Sequence, residues 1–347
     1  MCNIAGYVGT KQAAPILIDM LRKQEHYDGG MSCGIATIHN GRIYYRKVIG
    51  DVDTLINTTD ALYLPGTVGI AHTRPGGSPI VYGYAHPFIN MEETMAGITN
   101  GTSRAPGSQK SDQDAATLLE EEGFKFRDVV FNPKSDFPIL KDGSHISPVA
   151  TRLYMVDRYV RQGMSTSEAM AKTASDLYRD NVFAILNLQT PEKFYVLRTT
   201  RPAISLKTED GVYVATTRFG FPDDAEGETK MLPLFNACEI TKEGVIITDS
   251  RLSGREEVAE VTDYTLDEGY KRFCALLKGK IDAPLNFDDL ELAVWHNMRD
   301  LFDGDHVLIQ DARLVYDILY KLHEQGLLHT EVRTESNKRK RYYFWID

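Results

Sequence analysis

The order of apolar patterns along the chain is the feature that most restricts its fold. Short apolar runs typical of strands recur over the first hundred residues, and a second group lies between residues 182 and 248. Two helical patterns, at residues 147–162 and 165–178, separate the two groups. Strands, then a pair of helices, then strands again predict stacked layers of sheet and helix in an α+β fold, and not alternating βαβ units.

Local signals near the N-terminus support this division. Residues 13–25 have apolar side chains at helical spacing, which predicts a helix. The dipeptide Asn40-Gly41 joins two strand patterns, residues 34–39 and 42–48, and predicts a tight hairpin. A further helix is predicted over residues 115–122.

The C-terminal part has a different organisation. Residues 249–265 are charged and less periodic, and we interpret them as a linker after a first domain at residues 2–248. Residues 266–347 contain three helical segments and then two strand-like pieces, at residues 266–278, 287–302, 312–325, 329–334 and 341–346. Three helices followed by a hairpin are typical of a winged helix-turn-helix, so we predict a small winged-helix-like domain.

Composition restricts the class of protein. The 347 residues carry a net charge of −10, which does not favour a surface that coats nucleic acid. No apolar run is long enough to cross a membrane, and the scattered cysteines indicate neither a disulfide framework nor a zinc site. We therefore expect a cytoplasmic protein, and the sequence indicates no metal or organic cofactor. The cysteines are Cys2, Cys33, Cys238 and Cys274.

Cys2 is the strongest candidate for a reactive group. Removal of Met1 would make it the N-terminal residue, so that one residue would carry a thiol nucleophile and an α-amine. An α-amine with a pKa of about 7.7–8.0 is a usable base near neutral pH. The apolar run at residues 4–8 predicts a strand that would hold this chain end against a sheet.

Four motifs in chain order resemble the glutaminase domain of class II glutamine amidotransferases, which are N-terminal-nucleophile hydrolases. They are Met1-Cys2-Asn3-Ile4, His72-Thr73-Arg74, Ala85-His86-Pro87 leading to Asn100-Gly101, and Ser111-Asp112-Gln113-Asp114. A weaker fifth match joins Arg198-x-x-Arg201-Pro202 to Val214-Ala215-Thr216. The resemblance covers roughly residues 2–240, which are similar to the domains of glucosamine-6-phosphate synthase and glutamine phosphoribosylpyrophosphate amidotransferase.

The resemblance implies a four-layer αββα sandwich and a role for each matched residue. Cys2 would attack the glutamine carboxamide, and the Asn100 side chain with the backbone N–H of Gly101 would bind the oxyanion. Arg74 would bind the substrate α-carboxylate, and Asp112 would pair with its α-ammonium group. Asp112 could instead be a helix N-cap.

The chain departs from the family pattern at several positions. Asn3 stands where the family usually has glycine, and Asp28 and Met31 replace an arginine and an aspartate of a glycine-containing stretch. Pro75 replaces an aromatic residue, and Thr99 replaces the histidine before the Asn-Gly pair. The nucleophile and oxyanion positions are retained, so the resemblance still implies hydrolysis of the side-chain amide of glutamine to glutamate and ammonia.

The resemblance leaves open what consumes the ammonia. Residues 266–347 are too few for the synthase domains that follow this domain in the family, so we expect release into water or delivery to a separate synthase subunit. The alternative is an amino-acid-sensing regulator, with a degenerate amidotransferase domain and a DNA- or protein-binding winged helix. The run Lys338-Arg339-Lys340-Arg341 is compatible with phosphate contacts, but 12 Lys and Arg against 14 Asp and Glu in residues 268–347 do not favour nucleic acid.

Overall fold

Two large antiparallel sheets form the centre of the molecule. The computed structural model describes residues 2–76, 80–101, 108–131, 136–253, 258–302, 304 and 308–347. Within these residues the two sheets lie face to face and have helices on their outer sides. The predicted α+β fold is therefore confirmed.

The first sheet has seven strands. In chain order they are β1 (Asn3–Gly9), β2 (Ser32–His39), β3 (Arg42–Ile49), β4 (Val68–Arg74), β11 (Ile204–Lys207), β12 (Gly211–Ala215) and β13 (Glu228–Met231). Their order across the sheet is β13-β11-β12-β1-β4-β2-β3. Strand β1 is thus central and antiparallel to both β12 and β4; its pairing with β4 begins at Asn3, and its pairing with β12 begins at Ala5.

The second sheet has six strands. They are β5 (Phe88–Ile89), β6 (Met95–Gly101), β9 (Asn181–Asn187), β10 (Phe194–Arg198), β14 (Asn236–Thr241) and β15 (Gly244–Arg251), in the order β15-β14-β10-β9-β6-β5. A separate short pair consists of β7 (Val129–Val130) and β8 (His145–Ile146). Strand β6 lies near one edge and is antiparallel to β9, with Gly101 opposite Asn181.

Alternation along β1 explains how one strand contributes to two cores. Ile4 and Val8 belong to the apolar cluster between the sheets, whereas Ala5 and Tyr7 belong to the cluster on the outer side of the first sheet. On that outer side lie α1 (Ala13–Asp28) and α2 (Val52–Thr58). The outer side of the second sheet is covered by α3 (Ser108–Glu121), α4 (Pro148–Arg161) and α5 (Thr166–Asp176).

The C-terminal residues form a third packed unit, the C-terminal module (residues 258–347). Its helices are α6 (Asp263–Leu277), α7 (Phe287–Asn297) and α8 (Asp311–Glu324). Its strands are β16 (Val258–Ala259), β17 (Leu285–Asn286), β18 (Leu308–Ile309), β19 (His329–Thr334) and β20 (Lys340–Trp345). Strands β17, β20 and β19 form one antiparallel sheet, and β16 pairs with β18 in parallel. The core of this module also includes Tyr27 of α1.

Ordered structure occupies part of the predicted linker. Strand β15 extends to Arg251, and α6 begins at Asp263. Between them, residues 254–257 lie outside the described residues, whereas β16 pairs within the C-terminal module. The charged residues of this stretch are therefore compatible with regular structure. In the exposed strand β15 successive side chains point to opposite faces, so charged residues can face solvent.

Candidate active site

Cys2 lies immediately before the central strand of the first sheet. The next residue, Asn3, is opposite Thr73 of β4, and Ile4 is opposite His72. The Cys2 side chain is partly buried. A residue at the start of a strand that is paired on both sides has little conformational freedom, so the sheet holds Cys2 in one place.

Asn100, at the end of β6 in the second sheet, contacts Cys2 directly. The backbone N–H of Cys2 donates to Asn100 Oδ1 over 3.1 Å. The Asn100 Nδ2 group donates to Thr216 Oγ1 over 3.3 Å, and the same hydroxyl oxygen accepts a 2.9 Å hydrogen bond from Ile4 N. Thr216 therefore joins the strand that follows Cys2 to the side chain that faces it. A side-chain amide has two N–H donors, so one remains for a ligand.

Gly101 adopts a backbone conformation that requires glycine. Its φ is +129°, and a Cβ atom there would lie 2.3 Å from the carbonyl oxygen of Asp180. The backbone N–H of Gly101 favours the Cys2 thiolate and so lowers the pKa of the thiol. Asn100 bonds the Cys2 backbone and Gly101 stabilises the Cys2 thiolate, so two groups with N–H donors adjoin the residue at which an oxyanion would form.

Electrostatics around the thiol act in opposite directions. Burial raises the pKa of the Cys2 thiol, because a buried thiolate loses its hydration. The Arg74 guanidinium and the N–H of Gly101 oppose this effect by stabilising the thiolate. The net result is a raised pKa, so the thiol needs a base before it can attack.

Arg74 ends β4 on the same side of the sheet. Its Nε donates to the carbonyl of Gly76 over 2.9 Å, and its Nη1 donates to the carbonyl of Tyr84 over 3.3 Å. These two bonds orient the guanidinium. Residues 77–79, which follow this strand, lie outside the described residues. Arg74 also lies close enough to Cys2 for its positive charge to lower the pKa of the thiol.

Asp112 belongs to a different cluster. It is buried and forms an ion pair with the equally buried Arg179. Burial raises the pKa of Asp112, and Arg179 and Arg152 counteract that rise. Among the described residues, no hydrogen bond or ion pair joins Asp112 to Cys2, Asn100 or Arg74.

The N-cap interpretation of Asp112 is wrong. Helix α3 begins at Ser108, so Asp112 lies one turn inside the helix, where its carboxylate cannot serve as the cap. The sequence placed the helix start too late because Ser111-Asp112 has the composition of a helix start. The role of Asp112 towards a substrate α-ammonium stays a prediction.

Two buried histidines pack behind Arg74. The rings of His72 and His86 lie 3.9 Å apart between centroids, and His86 Nδ1 accepts a hydrogen bond from Thr99 N. Burial lowers the pKa of His72 to about 3 and that of His86 well below its ordinary value. Both rings are therefore neutral at physiological pH and contribute no positive charge to the site.

The basic run at residues 338–341 is only half exposed. Lys338 and Lys340 face solvent, but Arg339 and Arg341 are buried. Arg341 forms a 2.8 Å ion pair with Asp288, and Arg339 pairs with Asp28 of α1. The alternation of a strand explains this result, because successive residues of β20 point to opposite faces. Two of the four cations are thus not available to phosphate groups.

Several side chains at the site carried no functional signal in the sequence. Thr216 was part of the weak fifth motif, without a role. Gln24 accepts from Thr216 N over 3.1 Å and donates to Ile4 O over 3.2 Å, and no pattern indicated it. Tyr316 and Arg339 come from the C-terminal module and reach Asn3 and Asp28, respectively. Only the tertiary fold brings these residues together.

Curated proteins similar to this chain are named glutamine–fructose-6-phosphate aminotransferase (isomerizing). The protein from Pyrococcus horikoshii is 26% identical over 329 residues, which are 91% of this chain and 49% of that protein. The Bacteroides thetaiotaomicron protein is 31% identical over 219 residues, 62% of this chain and 32% of its own length. The Caldanaerobacter subterraneus subsp. tengcongensis protein is 41% identical over 103 residues, 29% of this chain and 17% of that protein. No protein-family model matches the chain.

Solved structures agree on the fold. Glutamine phosphoribosylpyrophosphate amidotransferase from B. subtilis, complexed with ADP and GMP, superimposes with a TM-score of 0.57 at 17% identity, covering 76% of this chain and 52% of that one. The chain contains a class II glutamine amidotransferase domain. A second structure, described as the allosteric regulatory enzyme of purine biosynthesis, gives a TM-score of 0.54 at 16% identity, covering 74% of this chain and 50% of that one.

The alignments cover only part of each curated relative. The chain spans about half the length, or less, of these curated relatives. Among the helices of the described residues, none has the length and apolar character of a membrane span.

Proposed function

We propose that this chain hydrolyses the side-chain amide of glutamine to glutamate and ammonia, with Cys2 as the nucleophile. The observation that carries the proposal is the contact between the Cys2 backbone nitrogen and Asn100 Oδ1, at 3.1 Å, together with the stabilising effect of the Gly101 N–H on the Cys2 thiolate. A nucleophile, a potential base and two oxyanion donors are thereby within reach of one carbonyl group.

The first half of the reaction forms a thioester. Removal of Met1 turns the Cys2 nitrogen into an α-amine, which Asn100 Oδ1 would keep in position. The amine takes the thiol proton, and the sulfur attacks the carboxamide carbon. The oxygen of the tetrahedral intermediate, which becomes negative, is bound by Asn100 Nδ2 and by the N–H of Gly101. The protonated amine then gives its proton to the leaving nitrogen, and ammonia departs.

The second half releases glutamate. A water molecule attacks the thioester carbonyl, the amine accepts a proton from that water, and the same two donors stabilise the second oxyanion. The bond between carbon and sulfur breaks, and the thiol is regenerated. The net reaction consumes one glutamine and one water and produces one glutamate and one ammonia.

Recognition of the amino-acid end of glutamine is assigned to Arg74 and Asp112. The guanidinium of Arg74 is oriented by the carbonyls of Gly76 and Tyr84 and suits a carboxylate. The carboxylate of Asp112 would have to bind the α-ammonium while it remains paired with Arg179. The assignment of Asp112 therefore depends on a substrate that reaches this buried pair.

A Cys2→Ala variant tests the proposal. We expect loss of ammonia release from glutamine and loss of covalent labelling by a glutamine-like chloroketone, since no other residue replaces the sulfur. Cys274→Ala is the matched control, because Cys274 is the other partly exposed cysteine and lies in α6. Intact-mass analysis must first establish that Met1 is absent. Ammonia release that survives the Cys2→Ala change would contradict the proposal.

We also propose that the ammonia is used by a separate synthase subunit, and that residues 266–347 form a winged-helix-like docking domain. The order of α6, β17, α7, α8, β19 and β20 supports the winged-helix assignment, as does the sheet order β17-β20-β19. The alternative, a DNA-binding regulator, is less well supported because Arg339 and Arg341 are buried in ion pairs. That alternative requires salt-sensitive DNA binding that is lost when Lys338 and Lys340 are neutralised.

A further inference from the structure

We propose that the C-terminal module is a working part of the amidotransferase site, in which Tyr316 and Arg339 are positioning residues that fix the strand carrying Cys2. The inference rests on the proposed function. It concerns the same site, but it assigns the positioning of Cys2 to residues of the C-terminal module.

The first contact is made to the residue next to the nucleophile. The Tyr316 hydroxyl, on α8, donates to Asn3 Oδ1 over 3.1 Å. The Asn3 Nδ2 group donates to the carbonyls of Asp28, at 2.8 Å, and Gln24, at 3.1 Å. Asn3 replaces the glycine of the family pattern, so the added side chain has become the point at which α8 is joined to β1.

The second contact is made to the end of α1. The Arg339 Nε donates to the carbonyl of Gly29 over 2.9 Å, and its Nη2 pairs with the Asp28 carboxylate. Asp28 stands where the family pattern has an arginine. No guanidinium is therefore present at position 28 itself, and the guanidinium of Arg339 binds there instead. Because Asp28 also binds Asn3 through its carbonyl, both contacts act on one short segment.

The contacts belong to a packed interface and not to a mobile tail. Tyr27 of α1 packs against Tyr342 and Phe344 of β20, with ring centroids 4.9 and 5.8 Å apart. On the other side, Arg201 of the amidotransferase domain lies 3.5 Å from Asp311 and also pairs with Glu291. Tyr316 is 2% exposed, so its hydrogen bond with Asn3 is shielded from water.

The charge of Arg339 also reaches the nucleophile. Burial raises the pKa of the Cys2 thiol and lowers that of Arg339 to about 10, and within this balance the Arg339 charge is among the smaller effects that favour the thiolate. Removal of Arg339 should therefore move Cys2 and destabilise its thiolate at the same time. A group that only helped the module to fold would not change the titration of this thiol.

The first test uses Tyr316→Phe, which keeps the ring and removes only the hydroxyl. We expect kcat for glutamine hydrolysis to fall about three- to tenfold, with KM within about twofold, since one buried hydrogen bond that orients the nucleophile is lost. Tyr270→Phe is the control, because the Tyr270 hydroxyl bonds Gln325 on the exposed side of the same module. In an Asn3→Gly background, Tyr316→Phe should have no further effect on kcat.

The second test does not depend on glutaminase activity. The pH dependence of Cys2 alkylation by iodoacetamide is followed by peptide mass mapping in Arg339→Met, Arg339→Lys and the exposed control Arg333→Met. We expect the midpoint to rise in Arg339→Met, to return towards the wild-type value in Arg339→Lys, and to be unchanged in the control. If Arg339→Met does not fold, Asp28→Asn/Arg339→Met removes the buried carboxylate together with its partner and is read in the same way.

The outcomes separate the two proposals. An active wild type in which neither Tyr316→Phe nor Arg339→Met alters kcat or the alkylation midpoint would overturn the role of the C-terminal module. A wild type without ammonia release would overturn the proposed function, and the alkylation midpoints would then decide the positioning role alone.

Discussion

The Thr216 hydroxyl accepts a 3.3 Å hydrogen bond from the side-chain amide of Asn100. It also accepts a 2.9 Å bond from the backbone N–H of Ile4, two residues after Cys2. The Thr216 hydroxyl oxygen, one residue after β12, thus links strand β1, which follows Cys2, to the Asn100 side chain. The Thr216 hydroxyl takes no part in the proposed reaction, but it helps to hold both the strand after Cys2 and the Asn100 side chain in place.

Thr216→Val is expected to lower both stability and activity. The valine leaves the buried N–H of Ile4 without an acceptor, which should cost about 1–3 kcal/mol in the free energy of unfolding. Displacement of Asn100 should reduce kcat about tenfold. Urea denaturation and ammonia release measure the two effects. Thr216→Ser should recover most of both, and Thr58→Val, at an exposed hydroxyl of α2, should change neither.

Asn100→Asp is expected to remove one of the two oxyanion donors while it preserves the shape of the side chain. The carboxylate can still accept from Cys2 N but has no N–H for the oxyanion, so kcat should fall about 10²–10³-fold. Its negative charge also disfavours the thiolate. Steady-state kinetics measure the change, and Asn57→Asp on the exposed face of α2 is the control. Near-wild-type kcat in Asn100→Asp would remove Asn100 from the mechanism.

Gly101→Ala is expected to disrupt the site through backbone strain and a clash together. At φ +129° the new Cβ would lie 2.3 Å from the Asp180 carbonyl oxygen. We expect a loss of about 2–4 kcal/mol in the free energy of unfolding and no measurable ammonia release. Gly123→Ala separates the two causes, because Gly123 has φ +85° but no atom within 4 Å of its added Cβ. That control should cost about 1 kcal/mol and leave kcat unchanged.

The sequence was sufficient for the arrangement of layers and for the residues around the sulfur. Apolar periodicity is a local property, so it located α1 and the hairpin of β2 and β3 to within a few residues. The motif order likewise selected Cys2, Asn100 and Gly101, which the fold brings together at the facing ends of two sheets.

Side-chain pairing over long sequence distances could not be predicted. Tyr316 and Asn3 are 313 residues apart, and Asp112 of α3 meets Arg179 only in the tertiary fold. The burial of Arg339 and Arg341 could not be predicted for a related reason: charge composition does not show which face of β20 is covered by α1. Such contacts depend on how complete helices and strands pack against one another, and no local sequence pattern contains that information.

Glu25 should make the stability of the protein fall as the pH rises. Its side chain is buried in α1, and its carboxylate accepts a 3.0 Å hydrogen bond from Val52 N. Burial raises the pKa of Glu25 from 4.5 to about 7. The folded state therefore binds a proton more tightly than the unfolded state, so the stabilisation is complete below pH 4.5 and is lost as the pH rises to about 7.

Glu25→Gln should remove this dependence, because a neutral amide can accept the same bond from Val52 without a desolvated charge. Relative to wild type, the variant should gain about 2–3 kcal/mol in the free energy of unfolding between pH 4.5 and pH 8, as measured by urea denaturation. Glu243→Gln, on the exposed turn between β14 and β15, is the control and should follow the wild-type curve. Parallel pH profiles for wild type and Glu25→Gln would mean that Glu25 titrates at its ordinary value and is reached by water in the folded protein.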